Sequence, residues 1–517
     1  MRTPIVGLTA VALVAALLLS PLTALADDGD FLWAKQIGGT NADVGFGLAV
    51  DAAGNVYTTG QFQGTADFDP GPGSFNLTSA GGPDIFVSKL DSAGNLAWAK
   101  QMGSTDWDAG FGIAVDGTGN VYATGQFTGT ADFDPGPGNF NLSSAGSADI
   151  FVSKLDRDGN LAWAKQMGGT DYDLGLGIAA DAAGNVYTIG WFQGTADFDP
   201  GPGTANLSSA GNPDTFVSKL DRDGNLIWVQ QMGGKNADYG FGIAVDAAGN
   251  VYATGQFWGT ADFDPGPGSF NLTAGGADIF VSKLDSAGNF AWAKQMGGTG
   301  DEASHGIAVD GAGNVYTTGQ FQSTADFDPG PSTFNLTAGA EDVFVSKLDR
   351  AGNLVWAKQI GGTSSDYGLG IAVDGAGNVY TTGYFGETAD FDPGPDTFNL
   401  TASKQDIFLS KLDSAGNLAW AKQMGGTNSD AGYGLAVDAA GNVYATGLFI
   451  IMADFDPGPD TANLTSAGGP DIFVSKLSGP PTPTKPVGGY LVPLLVLAAV
   501  ALVAATVAAV TLRRRRV

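Results

Sequence analysis

Pairs of aspartates separated by one residue are the most distinctive groups in this sequence that could do chemistry. The segment Asp-Phe-Asp-Pro-Gly-Pro occurs seven times, and in the first copy its two acids are Asp67 and Asp69. The first aspartates of the seven copies are Asp67, Asp132, Asp197, Asp262, Asp326, Asp390 and Asp454. On an extended strand the two acids of a pair would point to one side, roughly 6–7 Å apart.

Carboxylates without a lysine in the same motif suit a hard cation, and Ca²⁺ is the one that this pattern would fit. The twelve-residue spacing of an EF-hand is absent, however. The alternative, which we favour, is that Asp-Pro-Gly-Pro forms a stiff hairpin tip. We therefore assign no metal-ligating residue and expect no cofactor, with Ca²⁺ left open.

No other residue type supplies a catalytic set. Cysteine is absent and His305 is the only histidine. A Ser-His-Asp relay would need partners that no spacing in this sequence suggests. Other copies carry phenylalanine, leucine or tyrosine at the position of His305, so we interpret it as a tolerated substitution, although Asp301 and Glu302 make its loop the least typical. We assign no catalytic and no cofactor-binding residue, and we expect no enzymatic activity.

Each copy also contains an Asn-Leu-Ser or Asn-Leu-Thr sequon. The seven asparagines are Asn76, Asn141, Asn206, Asn271, Asn335, Asn399 and Asn463. On an exported domain these are acceptors for N-linked glycans. We favour the alternative that they are unmodified turn residues.

The elements that position these residues repeat with them. A tryptophan recurs every 64 or 65 residues, at Trp33, Trp98, Trp163, Trp228, Trp292, Trp356 and Trp420. A period of this size built of short apolar runs predicts a β-propeller or an array, because one unit cannot bury a core without its neighbours. In one unit the four runs that predict strands are Gly112 to Val115, Val121 to Phe127, Ile150 to Leu155 and Leu161 to Met167. Asp-x-x-Gly-Asn turns join the first strand to the second and the third to the fourth.

The phase of the repeat predicts how the architecture closes. A lone fourth strand, Phe31 to Ile37, precedes the first complete unit, and the last unit ends after its third strand, Asp471 to Leu477. Pairing these two strands would leave no exposed sheet edge. We therefore predict an all-β, seven-bladed β-propeller of four-stranded antiparallel blades, whose last blade is closed by the N-terminal strand.

In such a fold, aspartates that precede the first and third strands would converge with the aspartate pairs on one face. In the first two units these loop aspartates are Asp43, Asp84, Asp108 and Asp149.

Segments near both ends of the sequence predict the location of the protein in the cell. Residues 1–26 have Arg2, an apolar run and an Ala-Leu-Ala site typical of a signal peptide. Residues 27–477 are the predicted propeller and residues 478–490 a Pro/Gly-rich linker. Residues 491–512 are apolar over a length that predicts a transmembrane helix. The arginine-rich residues 513–517 would then lie in the cytoplasm and the propeller outside.

The charge of the predicted propeller argues against anionic partners. All 53 acidic residues of the chain lie between Asp27 and Leu477, but only 18 of its 24 basic residues do, which leaves a balance of −35. Such a field repels nucleic acid and anionic lipid headgroups. Cations, cationic partners and neutral glycans stay open as ligands.

The repeats resemble the bacterial SBBP repeats, a β-propeller repeat family whose signature is similar to Asp-x-x-Gly-Asn-x-Tyr-x-Thr-Gly. This pattern occurs at Asp51 to Gly60, Asp116 to Gly125, Asp181 to Gly190 (with Ile189 in place of threonine), Asp246 to Gly255, Asp310 to Gly319, Asp374 to Gly383 and Asp438 to Gly447. The resemblance implies a surface or secreted propeller of a bacterium, without an agreed activity. Leu90 to Trp98 is also similar to the tryptophan-docking motif of quinoprotein dehydrogenase propellers, which we attribute to shared packing of blades.

We therefore expect a binding or scaffold module on the bacterial cell membrane, anchored by one C-terminal helix. Its expected partner is an extracellular protein or glycan. The alternatives are a surface-exposed hydrolase or lyase with its site in the central channel, and a passive surface-layer or stalk component. An asymmetric cluster of perturbed carboxylates would favour an enzyme, whereas a ring of equivalent sites would favour binding or structure.

Overall fold

The computed structural model of the chain describes residues 27–481. Residues 27–479 form one compact unit made of β-strands. Among residues 27–481 there is no helix long and apolar enough to cross a membrane. The predicted signal peptide, most of the linker, the predicted transmembrane helix and the arginine tail lie outside the described residues.

Each repeat forms an antiparallel meander of four strands, as the spacing of apolar runs and Asp-x-x-Gly-Asn turns predicts. The first strands are Val44–Val50, Ala109–Val115, Asp173–Ala180, Asp238–Val245, Ala303–Val309, Tyr367–Val373 and Ala431–Val437. The second strands are Val56–Phe62, Val121–Phe127, Val186–Phe192, Val251–Asp262, Val315–Asp326, Val379–Asp390 and Val443–Phe449. The third strands are Asp84–Leu90, Asp149–Leu155, Asp214–Leu220, Asn271–Leu284, Asn335–Leu348, Asn399–Leu412 and Asp471–Leu477. The fourth strands are Phe31–Gly39, Leu96–Met102, Leu161–Gly169, Leu226–Gly234, Phe290–Gly298, Leu354–Gly362 and Leu418–Gly426.

A short outer hairpin follows the second strand and carries the Asp-Phe-Asp-Pro-Gly-Pro segment at its tip. In four units it is separate, as Thr65–Asp67 with Asn76–Thr78, Thr130–Asp132 with Asn141–Ser143, Thr195–Asp197 with Asn206–Ser208, and Met452–Asp454 with Asn463–Thr465. In the other three units the hairpin is continuous with the second and third strands. This hairpin also pairs with the preceding unit, where Gly168 and Gly169 at the end of a fourth strand face Asp197 and Ala196. It therefore links neighbouring units through backbone hydrogen bonds.

The cores lie between successive sheets. One cluster of buried side chains joins Tyr57 and Val87 of one unit to Ile113 and Phe151 of the next. The tryptophan of each fourth strand packs there against the tyrosine of the signature motif, with ring centroids 6.3 Å apart for Trp98 and Tyr57. The third strand Asp149–Leu155 is buried on both faces, and its centre is the apolar run Ile150, Phe151 and Val152.

The first strands contact one another in an unbroken series. Val44–Val50 lies against Ala109–Val115 of the next unit and also against Ala431–Val437 of the last unit. In six of the seven first strands a β-bulge separates two glycines, as between Gly45 and Gly47, and in the remaining one it separates Ser304 from Gly306. These small residues allow close approach, and a Cβ on Gly47 would lie 2.8 Å from the carbonyl oxygen of Phe111 in the next unit.

The two ends of the repeat region meet in one sheet. Phe31–Gly39 pairs antiparallel with Asp471–Leu477, with Ile37 opposite Ile472. A buried cluster joins residues of the first and last units, among them Phe62 and Val474. The predicted pairing of the lone N-terminal strand with the last third strand is therefore present in the structure.

The turn between these two strands, which we call the split turn, is assembled from residues at the two ends of the repeat region. In an intact turn the amide of Asp91 donates to the carbonyl of Asn95 (2.8 Å) and that of Gly94 to the carbonyl of Asp91 (2.9 Å). At the two ends of the repeat region the amide of Ser478 donates to the carbonyl of Asp30 (2.8 Å) and that of Gly29 to the carbonyl of Ser478 (2.9 Å). Ser478 and Gly29 thus reproduce an Asp-x-x-Gly-Asn turn without a peptide bond between them.

Candidate functional site

The aspartate pairs of the outer hairpins hold their own loops closed. Asp67 Oδ1 accepts the backbone amides of Asp69 (3.0 Å) and Phe75 (2.8 Å), and Asp69 Oδ1 accepts the amide of Gly71 (2.8 Å). The same bonds recur in the other copies, for example at Asp326. These contacts are those of a hairpin tip, the interpretation that the sequence favours.

No group of three or more histidine, aspartate or glutamate side chains that could hold a metal ion occurs within residues 27–481. The backbone amides of the hairpin donate to one oxygen of each acid, Asp67 Oδ1 and Asp69 Oδ1. Binding of Ca²⁺ by these loops stays a prediction. The sequon residue Asn76 is exposed and opposes Asp67 at the start of the returning strand.

The loop aspartates converge with one another at the boundaries between units. Asp149, which begins a third strand, and Asp173, which begins the next first strand, face the same glycine. A Cβ on that residue, Gly168, would lie 2.8 Å from Asp149 Oδ1 and 2.9 Å from Asp173 Oδ2. The expected convergence with the aspartate pairs is present in part, because Asp84 lines one pocket together with Asp132 and Asp134 of the next outer hairpin.

Seven such acid pairs recur, one at each boundary. They are Asp471 with Asp43, Asp84 with Asp108, Asp149 with Asp173, Asp214 with Asp238, Asp278 with Glu302, Asp342 with Asp366, and Asp406 with Asp430. In one pair, Asp84 Oδ2 accepts Gln101 Nε2 at 2.6 Å and Asp108 Oδ2 accepts the amide of Ser104 at 2.6 Å. Both acids are fully buried. Each pair therefore joins the third and fourth strands of one unit to the loop that enters the next.

Burial is the main cause of the raised pKa values of these carboxyl groups. Burial raises the pKa of Asp84 to about 6, against hydrogen bonds from Ala80 and Gln101 that lower it and with a smaller rise from the Asp108 charge. Burial likewise raises the pKa of Asp43 to about 7. Within residues 27–481 one buried oxygen of each third-strand aspartate has no hydrogen-bond donor. The raised pKa and the undonated oxygen recur in all seven units.

The aspartates of the Asp-x-x-Gly-Asn turns show the opposite behaviour. Asp116 Oδ1 accepts the amides of Thr118 (2.8 Å) and Asn120 (3.0 Å), and Oδ2 accepts Tyr122 Oη (3.0 Å). Burial alone would raise the pKa of Asp116, but these bonds and those from the Asn120 and Thr118 side chains outweigh it and lower the pKa to about 2. The signature motif therefore encodes a turn and its tyrosine anchor.

The bulge residues of the first strands form a collar where these strands meet. The collar consists of Phe46, Phe111, Leu176, Phe241, His305, Leu369 and Tyr433. Phe46 lies 5.3 Å from Phe111 and 5.5 Å from Tyr433, measured between ring centroids. A bulge re-aims the side chain that it inserts, and here it does so in every unit.

His305 has apolar and neutral neighbours in this collar. Its Nε2 lies 2.8 Å from Gln320 Oε1, and its ring centroid lies 5.0 Å from that of Phe241. Burial lowers the pKa of His305 to about 4, with a smaller opposing effect of the Gln320 hydrogen bond. Beside it, Glu302 replaces the aspartate of one acid pair, and burial raises its pKa to about 7. His305 is therefore a neutral member of the collar at neutral pH, and Glu302 takes part in a boundary pair.

One group of aromatic residues breaks the uniformity of the units, and sequence reasoning missed it. Tyr239 lies 5.4 Å from Trp191 of the preceding unit and 5.8 Å from Trp258 of its own unit, between ring centroids. All three side chains are partly exposed. At the position of Trp191 four other units carry glutamine, at Gln61, Gln126, Gln256 and Gln320. An alignment of the seven units position by position would have identified this group.

Comparison with known proteins supports the reading of the repeats. A family model described as a β-propeller repeat, SBBP, matches residues 32–61, 227–263, 291–320, 355–384 and 419–448. An uncharacterized WD repeat-containing protein, L264, of Acanthamoeba polyphaga mimivirus is 25% identical over 507 residues, which cover 82% of this chain and 36% of that protein. Regulatory protein FlaEY of Caulobacter vibrioides is 25% identical over 421 residues, covering 76% of this chain and 42% of that protein.

Both relatives are much longer than the part of them that this chain spans. Among solved structures, a protein of unknown function from Bacteroides caccae aligns over 53% of this chain and 89% of its own, with 12% identity and a TM-score of 0.23.

Proposed function

Because the chain is an SBBP-type β-propeller repeat protein, we propose that it acts as a binding or scaffold module in the form of a closed seven-bladed ring. The observation that carries this proposal is the recurrence of perturbed carboxylates in every unit. Catalysis needs one set of groups with different roles, whereas seven equivalent acid pairs supply one repeated structural contact. The names of the two relatives, a WD repeat-containing protein and a regulatory protein, are compatible with a binding role.

Closure of the ring is supported by three contacts that residues 28–39 make with the last units of the repeat region. Phe31–Gly39 completes the sheet of the last unit, and Gly29 with Ser478 rebuilds its missing turn. Lys411 Nζ also lies 2.6 Å from Asp28 Oδ2, and this lysine side chain is 5% exposed. A closed ring leaves no sheet edge that could recruit another strand.

The proposed partner is an extracellular protein or glycan. The test is a titration of the purified full-length chain with a ligand selected on a glycan array or with a purified candidate protein. We expect saturable binding that leaves the ligand chemically unchanged. Conversion of the ligand into a product would overturn the assignment as a binding module, and so would the absence of any saturable ligand in both screens.

The proposed location is a bacterial cell membrane, with the propeller outside and the C-terminus in the cytoplasm. The support is the order of the predicted signal peptide, spacer, apolar run and arginines along the chain. An epitope added after Val517 should stay with the membrane fraction and resist protease added to intact cells. Loss of the epitope from the mature protein, or its digestion outside the cell, would contradict this topology.

A further inference from the structure

The aromatic group at Trp191, Tyr239 and Trp258, which we call the aromatic corner, is placed by two neighbouring units. Tyr239 pairs across the sheet with Gln256, and Trp258 follows Gln256 by two residues, so Tyr239 and Trp258 share one face of the sheet. The backbone amide of Trp258 donates to Asp238 Oδ1 at 3.4 Å, and Asp238 Oδ2 accepts the amide of Gly234 at 2.6 Å. Asp238, one acid of the pair at this boundary, thus holds the backbone of the corner at Trp258.

The angles between the rings distinguish a corner from a flat platform. The plane of Tyr239 makes an angle of 66° with that of Trp191 and of 87° with that of Trp258. Coplanar rings would offer one flat surface to a sugar or a base. Rings near right angles instead present π faces on different sides of a small group, and the electron-rich face of an aromatic ring attracts a cation.

The charge of the molecule favours the same class of ligand. The chain has a net charge of −29, and such a field raises the local concentration of cations and repels anions. The two indole N–H groups of the corner only donate hydrogen bonds, so the phenol oxygen of Tyr239 is the single acceptor that the three side chains offer to the N–H bonds of a primary ammonium group. A quaternary ammonium group has no N–H bond to satisfy, so aromatic faces suffice.

The geometry points to the aromatic corner as a binding site for a small quaternary ammonium compound. This inference rests on the proposed binding function and names a ligand class for it. The partly exposed rings of Trp191, Tyr239 and Trp258 would surround the cation, and the anionic ring would supply the long-range attraction. The six other boundaries lack this combination of residues.

The test uses choline as the probe and its neutral carbon isostere, 3,3-dimethylbutan-1-ol, as the comparison. Titration calorimetry of the full-length chain should show binding of choline and at least about tenfold weaker binding of the isostere, because only the charge differs. Phosphatidylcholine vesicles form a separate arm that reports whether the same headgroup binds when it belongs to a lipid surface. Equal affinity for choline and isostere, or no binding of choline, would overturn the inference.

The units themselves provide variants that preserve the fold. Trp191→Gln, Tyr239→Ala and Trp258→Gln each introduce a residue that other units carry at the same position. The triple variant should bind choline at least about tenfold more weakly while it melts like the parent. The matched control is Tyr367→Ala with Tyr384→Gln, since these two rings are stacked at 25° and form no corner. Loss of binding in the control, or retention in the triple variant, would contradict the site.

A charge variant separates a cation from a neutral ligand. Lys235 stands four residues before Tyr239, where the other units have threonine, for example Thr170 and Thr299. Lys235→Thr should tighten the binding of choline and leave a neutral oligosaccharide unaffected, because it removes a like charge. If choline fails to bind but a glycan or protein ligand does, this inference fails and the proposed binding function stands. If nothing binds, both fail.

Discussion

At the level of single residues, two groups of acids, those of the boundary pairs and those of the Asp-x-x-Gly-Asn turns, have opposite electrostatics. The acids of the boundary pairs are buried beside a second acid, and burial raises the pKa of Asp84 to about 6 and of Asp43 to about 7. The turn acids accept several hydrogen bonds, which lower the pKa of Asp116 to about 2 against the opposing effect of burial. The sequence pattern marks both groups, but only the fold distinguishes them, because burial is not encoded in the local motif.

The two groups predict opposite dependences of stability on pH. The raised pKa of an acid in a boundary pair means that its carboxyl group binds a proton more tightly in the folded state than in the unfolded chain. The contribution of that group to the free energy of unfolding therefore falls as pH rises from about 4 to about 7. Asp84→Asn removes the charge while its amide oxygen can still accept from Gln101. We expect the free energy of unfolding of this variant, relative to the parent, to increase between pH 5 and pH 8.

The matched variant is Asp116→Asn, in the second group. In the parent, the Asp116 carboxylate stabilises the fold above its unfolded pKa of 3.8, and this stabilisation is lost as pH falls towards about 2. The variant should therefore be less stable than the parent at pH 7, with a difference that shrinks below pH 4. Chemical denaturation at a series of pH values measures both variants, and parallel pH profiles for the two would show that the assignment of the groups is wrong.

At the level of elements, close packing explains the last glycine of the signature motif. A Cβ on Gly125 would lie 1.9 Å from the carbonyl oxygen of Ala109 and 2.8 Å from a ring carbon of Phe151. The glycine therefore allows the first and second strands to approach beneath a buried phenylalanine. The strands, the turns and the tryptophan packing were predictable because each has a local sequence pattern.

Gly125→Ala should lower the free energy of unfolding by about 3 kcal/mol, because the clash is with backbone and a buried ring that cannot move aside. Gly117→Ala in the same unit is the control, since no atom lies within 4 Å of its Cβ position. That variant should stay within about 0.5 kcal/mol of the parent. Urea denaturation measures both, and equal effects would contradict the packing described here.

Other elements were not predictable from local patterns. The split turn has Ser478 where intact turns have aspartate, so no sequence motif predicts it. The boundary acid pairs join residues of different units, and their partners depend on how sheets stack. The aromatic corner is visible only as a departure from the repeat at three positions. In each case the missing information is the arrangement of one unit against the next.

At the level of the whole molecule, the chain is a series of units that each bury a core only against their neighbours. Such an array is stable when its ends are capped, and here the two ends cap one another. The first strand of the chain joins the last sheet, and the first and last units share a buried cluster that includes Phe62 and Val474. The proposed function depends on this closure, because a closed ring holds the collar and the aromatic corner in fixed positions.

Deletion of residues 27–38 tests closure most directly, because it removes the strand and half of the split turn together. The measurement is the thermal melt of the full-length chain with and without the deletion, followed by size-exclusion chromatography. Leu32→Ser is the control, since Leu32 lies in the same strand and is 43% exposed. We predict that the control melts like the parent, whereas the deletion variant melts at a much lower temperature or aggregates through the exposed edge of Asp471–Leu477. A deletion variant that stays monomeric and melts with the parent would contradict the closed ring.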